Sequence, residues 1–185
     1  MIARVVDRNG RWTWTKTVTL DFADERIPAH MRVMPMKYQL TERFAHPPER
    51  VFELVANVES HPEWMPNVKR LEMLTDGELR VGSSWRSTRS FFGREGTEYF
   101  EVAAFDPPKR LLLRVDGQKG TSGRGEFRFD YHFEQKPGGT LLTLDGEIAG
   151  FDTLGKMAQR VFLTAFKVAV RRDHSAFRRH LDQRA

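Results

Sequence analysis

The sequence predicts an α+β fold: about seven antiparallel strands, two short helices after the first of them, and one long C-terminal helix. Three observations carry that prediction. Residues 44–66, FAHPPERVFELVANVESHPEWMP, form an amphipathic, proline-punctuated segment inside what is otherwise a run of strands. Strand-like stretches then follow one another through short glycine- and proline-rich turns, as an antiparallel meander requires. Beyond Asp152 the apolar period becomes helical and stays so for about thirty residues.

Lys37 to Ala45 reads as the first strand. Pro47 and Pro48 suit a helix start, where a missing N–H costs little. Val51, Phe52, Val55 and Val58 then fall on one helical face. His61-Pro62 is expected to break the second short helix, with Trp64-Met65-Pro66 continuing as an extended segment or turn. Further strands are expected at 68–75, 81–91, 97–105, 110–116, 126–135 and 140–148. Asp152 is a plausible N-cap for the last helix. Leu154, Met157, Ala158, Val161, Phe162, Ala165, Val168 and Ala169 give that helix a wide apolar stripe, which Phe177 and Leu181 continue. At 1.5 Å per residue the rod would be roughly 45 Å long, enough to cross a whole sheet.

Residues 1–35 stand apart. Trp12 to Leu20 alternates like a strand after the Asn9-Gly10 turn, whereas Asp24 to Pro35 has no clear period. An added strand, a mobile arm, and translated sequence upstream of the true start all remain open for this extension. The domain itself is expected over 36–185.

The 185 residues, 39% hydrophobic and 30% charged, suit one soluble domain with an appendage. No apolar run approaches the roughly 18 residues of a membrane-spanning helix. The N-terminus lacks an apolar signal region, and a cytoplasmic location is expected. Zero cysteines exclude disulfides, thiolate nucleophiles and cysteine-bound metals. The net charge of +5 reads first as an arginine-rich solvated surface, and no specific nucleic-acid partner is expected. Arg171, Arg172, Arg178, Arg179 and Arg184 cluster near the C-terminus of the last helix, where they oppose the negative end of its dipole.

The order of strand, two short helices, six strands and a long helix resembles the helix-grip fold of the START-like superfamily. Within it the chain is similar to the polyketide cyclase/dehydrase branch, also called SRPBCC proteins. The residues that carry the resemblance are His46-Pro47-Pro48-Glu49-Arg50-Val51-Phe52, Trp64-Met65-Pro66, Val81-Gly82-Ser83-Ser84-Trp85 and Phe105-Asp106-Pro107-Pro108-Lys109-Arg110-Leu111. It covers about 36–182. The resemblance implies a curved antiparallel sheet gripping the last helix, with a ligand cavity between them. It does not imply one reaction, since the family includes lipid carriers, hormone receptors, quinone-binding proteins and aromatase/cyclases.

A curved sheet and a straight helix cannot meet along their whole length, so the space between fills with large side chains or holds a ligand. Phe127, Phe129, Tyr131 and Phe133 alternate with Glu126, Arg128, Asp130 and His132, so one strand face is wholly aromatic and should point inward. Leu142, Leu144 and Ile148 do the same on the next strand. Trp85 and Phe91 favour an inward set that includes Ser87 and Arg89. An inward Arg89 needs a partner: a ligand carboxylate or enolate on the functional reading, Glu101 or another strand acid on the structural one. Tyr131 could donate to a ligand carbonyl or serve as an ordinary core tyrosine. Glu101 is a weak candidate base, because Phe100 and Val102 look like the inward set of their strand.

Trp64 could line the cavity mouth or plug the space between helix and sheet. Phe91-Phe92-Gly93 could form an apolar lip that gates entry or touches a membrane, or an ordinary hairpin tip. From the last helix, Ala158, Val161, Phe162 and Ala165 are candidate lining residues. No His pattern suggests a metal site, although ligands distant in sequence could still converge, and no cofactor is expected.

Three functions are compatible with these features. The leading one is binding of a hydrophobic, aromatic or lipid-like small molecule in the internal cavity. The second is a polyketide cyclase/dehydratase-type enzyme, with Arg89 and Tyr131 polarising carbonyls. The third is an interaction or chaperone-like module using the basic helix end and the N-terminal arm. Ligand identity, any reaction catalysed and oligomeric state are beyond the sequence.

Overall fold

A computed structural model describes residues 36–91, 94–121, 125–150, 164, 168, 172, 173 and 175–183. The strands are β1 (Met36–Phe44), β2 (Val68–Met73), β3 (Ser84–Phe91), β4 (Arg94–Asp106), β5 (Arg110–Asp116), β6 (Glu126–Lys136) and β7 (Gly139–Ala149). They form one sheet in the order β1-β7-β6-β5-β4-β3-β2, with every neighbouring pair antiparallel. The meander from β2 to β7 follows directly from its short turns. β1 then closes onto β7, pairing Met36 with Ile148 and Phe44 with Thr140. Register breaks at Val68/Arg70 and Val102/Ala104 help to bow the sheet.

Because β1 and β2 lie at opposite edges, the chain between them must cross the whole concave face. Helix α1 (Pro48–Ala56), a 3-10 turn at Val58–Ser60 and helix α2 (His61–Trp64) make that crossing. Pro47 caps α1 and Pro48 opens it, while Val51, Phe52, Leu54 and Val55 bury its inner face. Each such side chain contributes about 1.5–3 kcal/mol by leaving water. Phe52 meets Phe105 at 5.5 Å and Phe133 at 5.2 Å between ring centres, which fastens α1 over the sheet.

Three local expectations need correction. Pro62 does not break α2 but sits in its first turn, where no N–H is needed, and Trp64 is the last residue of that helix. β3 begins at Ser84 rather than Val81: Val81 is 61% exposed and Gly82 has φ +86°, outside the strand region. β4 begins at Arg94, three residues before its expected start.

All described residues between 164 and 183 in the last helix, here α3, are helical. Its 175–183 segment docks by Phe177, whose ring stands edge-on to Phe44 at 5.0 Å and to Trp64 at 5.2 Å. Ala176, Phe177 and Leu181 are buried there. The start expected at Asp152 and the extension 1–35 lie outside the described residues. On the outer face of the sheet the charges pair across strands: Arg110 grips Asp130 with two hydrogen bonds of 2.9 and 2.8 Å, and Arg114 reaches Glu126 at 3.1 Å. Exposed pairs of this kind contribute about 0–1 kcal/mol each.

Candidate functional site

The sheet, the α1–α2 crossing and α3 enclose a cavity of about 90 Å³. Alternation along the strands builds its walls. β6 contributes Phe127, Phe129 and Tyr131, and β7 contributes Leu142 and Leu144. Phe129 and Tyr131 are only partly buried, consistent with their facing this empty space. Trp85 of β3 lies flat against Phe100 of β4, with centroids 5.3 Å apart and planes 7° from parallel. Trp64, buried at the end of α2, faces the cavity as well as Phe177. It is therefore both lining and plug.

The polar groups gather around Arg89. Its guanidinium lies 3.8 Å from the Asp173 carboxylate of α3. Arg89 Nε–H donates to Ser87 Oγ at 3.4 Å, and the group sits 5.4 Å from the centre of the Phe100 ring. Glu98, directly across from Ser87 on β4, also faces the cavity. Burial pushes the Glu98 carboxyl above the usual carboxylate range, with Arg89 pulling the other way. Tyr131 is pushed up to about 12, chiefly by burial, so its hydroxyl stays an O–H donor. His61 is held down to about 4 by burial, with a smaller contribution from Arg89, and remains neutral. Its Nε2–H donates to the Val55 carbonyl at 3.0 Å.

The candidates drawn from the sequence fare unevenly. Trp64, Trp85, Arg89, Phe127, Phe129, Tyr131, Leu142 and Leu144 come together around one cavity. Glu101 does not. It lies between the buried Phe100 and Val102 and points to the other face, across from Arg114. Of the structural partners expected for Arg89, Glu101 or another strand acid, Glu101 points away; Glu98 is a strand acid that feels the charge of Arg89, and the ion pair itself is made with Asp173 on the helix. Phe91 pairs its backbone with Arg94, but its side chain lies outside what is described, as do Phe92, Gly93, Ala158, Val161, Phe162 and Ala165.

Sequence reasoning missed Glu98, Asp173 and His61. Glu98 shares the parity of Phe100 and Val102, so alternation already marked it. Asp173 falls four residues from both Ala169 and Phe177 on the apolar stripe, and an acid there is a signal. His61 follows Val58 by three, on the inner side of the crossing. Chemically, the site offers an apolar, ring-lined chamber with a cation, two carboxyls, a neutral imidazole and a phenol at one end. Among the described residues, no cluster of three or more His, Asp or Glu could hold a metal ion. Nor is any helix there long and apolar enough to cross a membrane.

Comparison with known proteins fits this architecture. An uncharacterized protein of Mycobacterium tuberculosis is 27% identical over 152 residues, covering 81% of this chain and 87% of the relative. The crystal structure of Zhui aromatase/cyclase from Streptomyces sp. R1128 superposes with a TM-score of 0.67 at 18% identity, covering 81% of this chain and 95% of that one. A START superfamily protein from Mycobacterium smegmatis gives 0.65 at 18% identity, covering 80% and 99%. At such identities the superpositions establish the fold alone. The sequence pattern of the family described as "Polyketide cyclase / dehydrase and lipid transport" matches residues 35–185, and the chain belongs to that family.

Proposed function

We propose that the chain binds a small hydrophobic molecule, aromatic or lipid-like, in the cavity between sheet and helices. One observation carries the reading: a ring-lined space whose polar groups gather around Arg89. That is the usual make-up of a small-molecule site. Phe127, Phe129 and Trp85 would contact the apolar body, while Arg89 and Tyr131 would orient a polar group. Trp64, Leu142 and Leu144 would complete the wall. Phe91, Ala158, Val161, Phe162 and Ala165 stay in the proposal as further lining.

Native mass spectrometry of the full chain against a library of hydrophobic compounds tests this reading. The expected outcome is a one-to-one non-covalent complex that is weakened by Phe129→Ala. A library in which nothing binds would remove the reading.

A second reading, a cyclase- or dehydratase-type enzyme, is favoured by a single feature. Arg89 and Tyr131, from different strands, both line the cavity, the guanidinium can polarise a carbonyl, and Tyr131, pushed up to about 12, stays an O–H donor to one. Incubation with a poly-β-keto thioester should then give a ring-closed product. Unchanged turnover in Arg89→Met and Tyr131→Phe would take these two residues out of any such mechanism.

A further inference from the structure

His61 borders the cavity from α2, and its hydrogen-bonding state is fixed by its neighbours. Only 6% of the residue is exposed. Its Nε2 lies 3.0 Å from the Val55 carbonyl. A carbonyl oxygen only accepts, so the hydrogen of this contact belongs to Nε2. Burial holds the imidazole to about 4, so at neutral pH the ring carries one hydrogen rather than two. With that hydrogen on Nε2, Nδ1 is a bare acceptor.

The ring is held in this sense. Turning it over would break the bond to Val55, and Trp64 stands edge-on to it with ring centres 5.2 Å apart and planes at 74°. Nδ1 takes no hydrogen bond from a described residue, and it is not sealed inside the fold without a partner. An acceptor this deep in the protein gains from a donor that arrives with a ligand. Arg89 and Tyr131 supply the complementary donors on the cavity wall, the guanidinium N–H groups and a phenol that keeps its O–H. The charge of Arg89 acts on both His61 and Tyr131, which places the three in one neighbourhood. A hydroxyl suits both kinds of partner: it gives its hydrogen to Nδ1 and accepts one from a donor beside it. An ether or a ketone can only accept and would leave Nδ1 bare.

Resting on the proposed binding function, we propose that the cavity recognises an uncharged ligand through a hydroxyl group that donates to His61 Nδ1, so that alcohols and phenols are taken in preference to their ethers.

Two measurements on the full chain at pH 7, with p-cresol and its methyl ether 4-methylanisole, test it. p-Cresol carries the same phenol as a tyrosine side chain and is neutral at that pH. The two probes share a ring, and the ether is the more apolar, so burial of apolar surface alone favours the ether. Calorimetric titration is expected to show p-cresol binding about tenfold more tightly, with His61→Phe removing or reversing that preference. Phenylalanine keeps a ring against Trp64 and brings no acceptor. Nitrogen-15 spectra of the imidazole need no variant and decide the question if His61→Phe does not fold. The Nδ1 resonance should move upfield, as that of an accepting nitrogen does, with p-cresol and not with the ether. The ether binding as tightly as p-cresol, a preference that survives His61→Phe, or an Nδ1 resonance indifferent to p-cresol overturns the recognition. So does binding of neither probe. These outcomes leave the binding function standing, which falls only if the hydrophobic library also yields no complex.

Discussion

Arg178 reaches from α3 to Glu42 on β1, donating its Nη2–H at 2.6 Å and Nε–H at 3.1 Å to the same carboxylate oxygen. The Glu42 side chain is 2% exposed and the Arg178 side chain 44% exposed, so the pair spans the boundary between interior and solvent. The guanidinium also lies 5.5 Å from the centre of the Phe44 ring, and Nη2 reaches the Arg43 carbonyl at 3.1 Å. One arginine thus fastens the end of the helix to the edge strand, beside the Phe44–Phe177 contact. Arg178→Met should keep the contact with the ring but leave Glu42 without this cation. The expected loss is about 1–3 kcal/mol, below the cost at a fully buried pair because the arginine is half in water. Thermal unfolding checks it. A Glu42→Gln/Arg178→Met double variant should lose less than the two single losses combined.

Gly146 is required by Tyr38. The two are register partners on β7 and β1, and the tyrosine ring lies across the bare backbone. A Cβ at 146 would stand 1.9 Å from Tyr38 Cζ. Gly146→Ala therefore forces the ring aside in a close-packed interior, at about 1–3 kcal/mol. Denaturant titration should show that loss, and Tyr38→Ala in the same chain should make Gly146→Ala nearly free. Equal costs in both backgrounds would mean that the ring is not the obstacle.

His61 sets an acid limit on the fold. Its imidazole titrates near 6.5 when unfolded but is held to about 4 when folded, mainly by burial. Between those values the unfolded chain binds the proton first, so stability present above pH 6.5 drains away as the pH falls toward 4. The difference corresponds to about 3 kcal/mol. His61→Gln should flatten the stability profile in that window. An unchanged slope would mean that other groups dominate the acid response.

Side-chain alternation explains why so much of the cavity was legible beforehand. Once Phe127, Phe129 and Tyr131 fall on one side of a strand, their direction follows from the pleat, and the same rule places Trp85, Arg89, Leu142 and Leu144. Glu98 obeys that rule too, on the face of Phe100 and Val102 and opposite to Glu101. Asp173 was harder, since its meeting with Arg89 joins positions 84 residues apart in the chain. No local spacing encodes such a pairing. The closure of β1 onto β7 is equally nonlocal. His61-Pro62 misled for a different reason: proline that ends one helix and proline that opens the next look alike in sequence, and only the backbone distinguishes them.

Glu98 should leave a thermodynamic signature of its own, opposite in sign to that of His61. Burial raises its carboxyl in the folded state, and the pull of Arg89 does not cancel the rise. The folded chain therefore keeps this proton at pH values where the unfolded chain has released it. Stability from Glu98 is complete below the ordinary carboxylate value and declines as the pH rises through the raised one. Above that, the fold carries a partly compensated buried charge. Glu98→Gln replaces the carboxyl with a neutral amide of nearly the same shape, so its stability relative to wild type should climb as the pH goes from 4.5 to 8. Urea unfolding across that range measures the difference. A flat profile would mean that Asp173 and Glu98 share Arg89 without strain, whereas a falling one would make the Glu98 charge stabilising in its own right.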